Sequence, residues 1–171
     1  FLGKRCPSPG KHAKVPWGPI SSFQVDPFTW YTVAQWFHPE FGYWPSANIG
    51  LPTGVNDLAV LDVDIKHGGL ESLAKLEAET GLTLTDTFIQ QTGSGGWHVI
   101  FAAPPGGIKS DSESFGPEYP GLDTRGRGGL IVAAPSRHVS GGRYSFVHVV
   151  EPAPWPEALT ELMVRPGGDL L

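Results

Sequence analysis

Leu58-Ala59-Val60-Leu61-Asp62-Val63-Asp64-Ile65 reads as a buried β-strand that ends on two carboxylates. Side chains alternate across a strand. Leu58, Val60, Asp62 and Asp64 therefore share one face, and Ala59, Leu61, Val63 and Ile65 share the other. The second face is wholly apolar, which makes the strand central in its sheet. The first face begins apolar and turns acidic. Two like charges at the end of a core strand repel each other and are costly to desolvate. A bound divalent cation removes that penalty, and paired carboxylates of this kind are what metal-dependent phosphoryl transfer requires. Two acids solvated at a strand end are the competing reading.

Outward from this strand the chain alternates short elements with Gly- and Pro-rich turns. Residues 1–26 are rich in Pro, Gly, Lys and His and read as an irregular basic arm. Asp26-Pro27 opens a helix, with Asp as N-cap and Pro at the first helical position, and Pro39 stops it. Asn48 to Pro52 is a short extended piece before a Thr53-Gly54 turn. After the acidic strand, Gly68-Gly69 leads into a helix over about residues 69–79, with Leu70, Leu73, Ala74 and Leu76 inward and Gly81 as its stop. Residues 87–92 and 97–102 read as strands joined by Gly93-Ser94-Gly95-Gly96. Residues 103–120 form a long loop, of a length usually functional or mobile. Short strands over residues 122–124, 130–134 and 143–147 follow, then a short helix over residues 155–164 and a Pro-Gly-Gly tail. The pattern is α+β, a mostly antiparallel sheet covered by helices on one side.

Composition narrows the function classes. The chain has 171 residues, 40% of them hydrophobic, enough for one packed domain. Cys6 is the sole cysteine, so no internal disulfide and no multi-thiolate zinc site forms, and a reducing, cytoplasmic setting is expected. No apolar run is long enough to span a membrane, and no signal peptide is visible. The first residue is Phe1, not Met, as expected of an excised domain. Net charge is −5, which argues against strong autonomous binding to nucleic acid.

Beyond Asp62 and Asp64, a few other polar residues carry chemistry. His98 follows the glycine cluster at 93–96, where backbone can approach a ligand closely. It suits a phosphate contact, or a half-buried structural histidine. Asp123 and Arg125 share a face if residues 122–125 are a strand. Asp123 then completes a carboxylate triad, and the planar guanidinium of Arg125 suits phosphate. Ser136, Arg137 and His138 follow the next strand and line the same cleft or form a polar turn. The glycine-rich turns match neither a Walker loop nor a dinucleotide fingerprint.

Together these motifs resemble the archaeo-eukaryotic primase superfamily, and within it the bifunctional DNA primase/polymerase domain of phage, plasmid and bacterial replication proteins. Asn48-Ile49-Gly50 with Thr53-Gly54 resembles the segment before the catalytic strand, and Lys11 to Pro16 the entry segment. Leu61-Asp62-Val63-Asp64 with Gly68-Gly69 resembles the acidic motif, and Ser94-Gly95-Gly96-Trp97-His98 the small-residue/His motif. Leu122-Asp123-Thr124-Arg125 with Gly128-Gly129 and Ala134-Pro135-Ser136 resembles the third motif, with Ala134 where the family usually has proline. The resemblance implies an RRM-like core with an N-terminal α/β module, in a single catalytic domain over residues 1–171. The arm would be residues 1–26, the catalytic core 27–150, and the C-terminal helix and tail 151–171. It implies a template-directed nucleotidyltransferase, acting on nucleoside triphosphates with single-stranded DNA template and primer. Asp62, Asp64 and Asp123 would bind two Mg²⁺ or Mn²⁺ ions, and His98 would contact the nucleotide phosphates. Arg125, Ser136, Arg137 and His138 are candidates for phosphate or template. A helicase domain in the same full-length protein is a further expectation of the resemblance.

Three rival readings are weighed against it. A rolling-circle relaxase needs a His-x-His pair, but Ile100 stands two residues after His98. A catalytically inert RRM-like binding domain needs aromatics and basic surroundings on its open face, where this chain has aspartates. An inert replisome adaptor would not need three acids and a histidine.

Overall fold

The computed structural model describes residues 35–44 and 46–163. The arm, most of the helix expected over residues 27–37 and the tail lie outside the described residues, although residues 35–37 are helical. The strands are β1 (Ile49–Pro52), β2 (Leu58–Val63), β3 (Phe88–Gln91), β4 (Trp97–Ala102), β5 (Leu122–Arg125), β6 (Leu130–Ala133) and β7 (Ser145–His148). Helix α1 (Gly69–Thr80) lies between β2 and β3, and α2 (Glu157–Leu162) follows β7. Five strands form one sheet in the order β5-β2-β4-β3-β7, and β1 pairs with β6 in a second. Every strand pairing is antiparallel. The fold is α+β with a mostly antiparallel sheet, as the sequence pattern requires.

β2 is internal rather than central: it is held between β4 and the edge strand β5, and β4 is the middle strand. The connection β2-α1-β3 leaves room for β4 to pair between the two strands, a split βαβ arrangement. The alternation read from the sequence sorts β2 onto two cores. Ala59, Leu61 and Val63 point into the larger one with Val99, Phe101, Leu122, Leu73 and Leu76 of α1, and Leu159 of α2. Val60 points into a smaller one with Ile100 and Ile131 of β6. The helices thus cover one face and the β1–β6 pair lies against the other.

Four local expectations are corrected. β2 ends at Val63, and Asp64 instead caps one 3₁₀ turn over Ile65–His67. The turn carries Ile65 out of the apolar row, so Ile65 is exposed. On α1 the inward stripe is Gly69, Ser72, Leu73 and Leu76, whereas Leu70 and Ala74 face solvent. The Ser72 hydroxyl donates to the Pro120 carbonyl at 2.7 Å, which fixes that rotation. The long loop over residues 103–120 is packed: Ile108, Phe115 and Tyr119 enter the larger core beside α1. The last helix is shorter than expected, starting after Pro156.

A backbone clasp holds the end of β2. The Asp64 N–H donates to the Gly121 carbonyl at 2.8 Å, and the Gly69 N–H donates to the Asp64 carbonyl at 2.9 Å. Gly121 has φ of 76°, and a Cβ there would lie 2.7 Å from the Gly69 nitrogen and 2.8 Å from the Asp64 carbonyl oxygen. Gly81, at the end of α1, has φ of 69° but open space around it. Gly81→Ala should therefore lower stability by about 1 kcal/mol, the left-handed backbone cost alone. Gly121→Ala should lower it by at least about 2–3 kcal/mol, because overpacking is added. Urea denaturation of both variants checks this, and equal losses would show that the clasp yields.

Candidate active site

Strand register builds the site. Asp62 of β2 is the direct partner of His98 on β4 and of Asp123 on β5. His98 is in turn the partner of Gln90 on β3. Asp123, Asp62, His98 and Gln90 therefore form one row across four strands, on the face that bears Val60 and Ile100. The row stands at the edge of the smaller apolar core, beside a cleft of about 400 Å³. Asp62, His98, Arg125, Ser110 and Tyr144 line the cleft, with the chain over residues 128–132 as a wall.

The two carboxylates of the row share one cation. Arg125 Nη2 donates to Asp123 Oδ2 at 2.7 Å and to Asp62 Oδ2 at 3.2 Å. The side chains are about one-quarter exposed, at 24%, 22% and 27% for Asp123, Asp62 and Arg125. The other Asp62 oxygen lies 3.6 Å from His98 Nε2, and His98 is almost fully buried. Asp123 Oδ1 accepts the Glu113 N–H at 2.9 Å. Over the cleft, Tyr144 is buried, and burial followed by the Asp62 charge pushes its phenol up. It stays a protonated hydroxyl at neutral pH.

Asp64 is engaged outside this row. Its Oδ1 accepts the Lys66 N–H and its Oδ2 meets His67 Nδ1, each at 2.9 Å. Partial burial pushes its carboxyl up, but the Lys66 and His67 bonds and charges outweigh this and hold it below its ordinary value. Among the described residues no three His, Cys, Asp or Glu side chains are gathered as a metal cluster. A divalent cation nonetheless suits the donor chemistry of the row. Asp62 and Asp123 are hard oxygen ligands side by side, and a guanidinium already serves as their shared positive charge.

The remaining candidates lie farther along the β6 side. The Ser136 hydroxyl accepts the Ile49 N–H at 2.8 Å, tying β1 to the turn after β6. The Asn48 side chain clamps the Arg137 backbone on both sides. His138 Nδ1 bonds the Ser140 hydroxyl at 2.8 Å, and its ring stands edge-on to Tyr144. None of these three lines the cleft. Conversely, Gln90, Ser110 and Tyr144 escape the sequence reading. Gln90 was the most accessible of them: its alternation with Phe88 and Thr92 marks one polar residue in a buried strand, but neighbouring Gln91 hides which glutamine faces inward.

Arg125→Ala leaves two adjacent carboxylates without their shared cation. It should cost about 1–2 kcal/mol at neutral pH, less than a fully buried pair because solvent screens the group. Added Mn²⁺ should then raise the melting temperature of the variant more than that of the wild type. An identical response would show that Arg125 does not couple the two acids.

The family model described as bifunctional DNA primase/polymerase, N-terminal, matches residues 5–158. No curated protein matches the chain significantly.

Proposed function

The chain belongs to the bifunctional DNA primase/polymerase family, and from that premise we propose that it is a template-directed nucleotidyltransferase working by two-metal phosphoryl transfer. Nucleotides and DNA are the substrates that membership implies. The observation that carries the mechanism is the row Asp123–Asp62–His98, which sets carboxylates and an imidazole side by side at one cleft.

Asp62 and Asp123 would hold the divalent cations, Mg²⁺ or Mn²⁺, with Asp64 as third ligand once released from its turn. Such ions lower the pKa of an attacking 3′-hydroxyl and stabilise the departing pyrophosphate. The protein's own groups then orient the triphosphate. His98 directs Nε2 toward the cleft, where it meets a phosphate oxygen. Arg125 exchanges its carboxylate partners for phosphate oxygens, a bidentate match to its planar fork. No protein nucleophile is needed. A helicase region in the full-length protein belongs to the same proposal. Among the described residues, no helix is long and apolar enough to cross a membrane.

Primer synthesis and extension on single-stranded templates, with labelled nucleotides and with Mg²⁺ and Mn²⁺ supplied separately, test the proposal. Asp62→Ala and Asp123→Ala should each abolish incorporation while retaining the fold, and chelation should do the same to the wild type. Asp64→Ala should also abolish it. Near wild-type incorporation by the Asp62 or Asp123 variant would overturn the two-metal reading, whereas no incorporation by the wild type with either metal would favour an inert nucleic-acid-binding domain.

Template grip follows from charge. Only 12 Lys and Arg stand against 17 Asp and Glu. Arg137 and Arg143, both exposed, are cross-strand partners in an isolated bridge. Like charges so placed are unfavourable unless an anion lies between them, which suits a DNA phosphate. Binding of a fluorescent single-stranded oligonucleotide should be weak and should fall steeply with salt. It should strengthen with Mn²⁺ and nucleotide, and Arg137→Ala should reduce the salt slope. Nanomolar binding at physiological salt without metal would place the template elsewhere.

A further inference from the structure

Gln90 is a fully buried amide in the middle of a sheet, next to a histidine that faces the cleft. Its orientation is dictated from outside its own sheet. Gln90 Nε2 donates to the Val132 carbonyl at 2.8 Å, and Gln90 Oε1 accepts the Ala134 N–H at 3.0 Å. Turning the amide over would set oxygen against oxygen and N–H against N–H, losing both bonds in a dry site. One Nε2 hydrogen remains, and it meets His98 Nδ1 at 2.6 Å. An amide nitrogen accepts no hydrogen bond, so Nδ1 must be the acceptor in this pair. The ring proton then resides on Nε2, which looks toward Asp62 Oδ1 at 3.6 Å and into the cleft.

We infer that Gln90 is the positioning residue of this site: it holds His98 as the Nε2–H tautomer, so that the ring offers the cleft a donor and never a lone pair. The distinction matters because an incoming phosphate is anionic and acceptor-only. A lone pair on Nε2 would repel it, whereas an N–H binds it. The functional weight of this inference rests on the reading of His98 as the phosphate contact. It also ties the tautomer to β6, because Val132, which fixes the amide, is itself a wall of the cleft. A histidine commonly has its tautomer set by the bond at its other nitrogen. Here the partner is an uncharged amide held by main chain, which leaves the negative charge of the site on the aspartates alone.

Two measurements test the inference. In ¹⁵N-labelled wild-type protein without nucleotide, NMR should show scalar coupling across the hydrogen bond between Gln90 Nε2 and His98 Nδ1. Long-range ¹H–¹⁵N spectra should show the Nε2–H tautomer, with His98→Ala identifying the signals. A proton on Nδ1 would overturn the inference. The second is a double-mutant cycle on steady-state kinetics. Gln90→Leu should raise KM for the nucleotide about tenfold, the usual scale for losing an orienting partner. It should add nothing in the His98→Ala background, since the effect passes through the ring. Equal increases in both backgrounds would make Gln90 a packing residue and overturn the inference. Because the tautomer and the coupling are read on the wild type without nucleotide, the two readings fail separately. The bonded tautomer with unchanged nucleotide affinity in His98→Ala would support the hold of Gln90 on the ring while removing the phosphate role of His98.

Discussion

The Asp62 carboxylate stands near the end of β2, a largely buried internal strand of the sheet, and the rest of the site answers to that one charge. Beneath it Val60, Ile100 and Ile131 form a dry seam, which offers no solvation. Beside it lies a second carboxylate, Asp123, one strand away. Such an arrangement is unfavourable without positive or proton-donating neighbours. Arg125 supplies the charge to both acids, and His98 presents its ring to the remaining Asp62 oxygen. The site is thereby self-compensated, and these are the groups that the function proposed above assigns to the triphosphate and the divalent cations.

Holding that carboxylate in place is the work of backbone packing. The Gly69–Asp64–Gly121 clasp ends β2 at a defined residue and turns the chain into α1. The loop over residues 103–120 supports the same end from the other side. Its Ser114 hydroxyl bonds Thr124 Oγ1 at 2.7 Å between the two site residues of β5, and Phe115 and Tyr119 anchor it in the core. A segment rich in Pro, Gly and Ser can thus be structural when a few apolar residues lock it. Across the cleft, the β1–β6 pair joins the five-stranded sheet through Ile131 in the seam and through the Gln90 amide. The wall of the cleft and the histidine in it are therefore mechanically one unit.

Much of this was legible in residue order. The period-two pattern of residues 58–63 identified an internal strand and correctly divided its faces, because alternation is a property of the local backbone. Six consecutive residues, 97–102, read as a strand and are one. The same alternation put Asp123 and Arg125 on one face, where they now meet. Where local pattern misled, a distant contact had intervened. Asp64 keeps the spacing of Asp62 but leaves the row, because the Gly121 and Gly69 backbones bend the chain at that residue. Leu70 and Ala74 suit an inward stripe, yet Ser72 is turned inward by the Pro120 carbonyl.

Residue order alone determined the strands, their inward and outward faces and the acidic end of β2, each a consequence of alternation and turn chemistry within a few residues. Tertiary structure decided register and partners. Nothing local says that Asp62 stands opposite Asp123 and His98, that Gln90 and not Gln91 reaches the imidazole, or that the Ser136 hydroxyl is taken by Ile49. These depend on which strands pair and at what offset, and a one-residue slip would send every side chain of a strand to the opposite face. Burial against α1 on one side and β6 on the other selects the offset. The chemistry of the site is for that reason a property of the folded sheet, although its residues are written in separate short motifs.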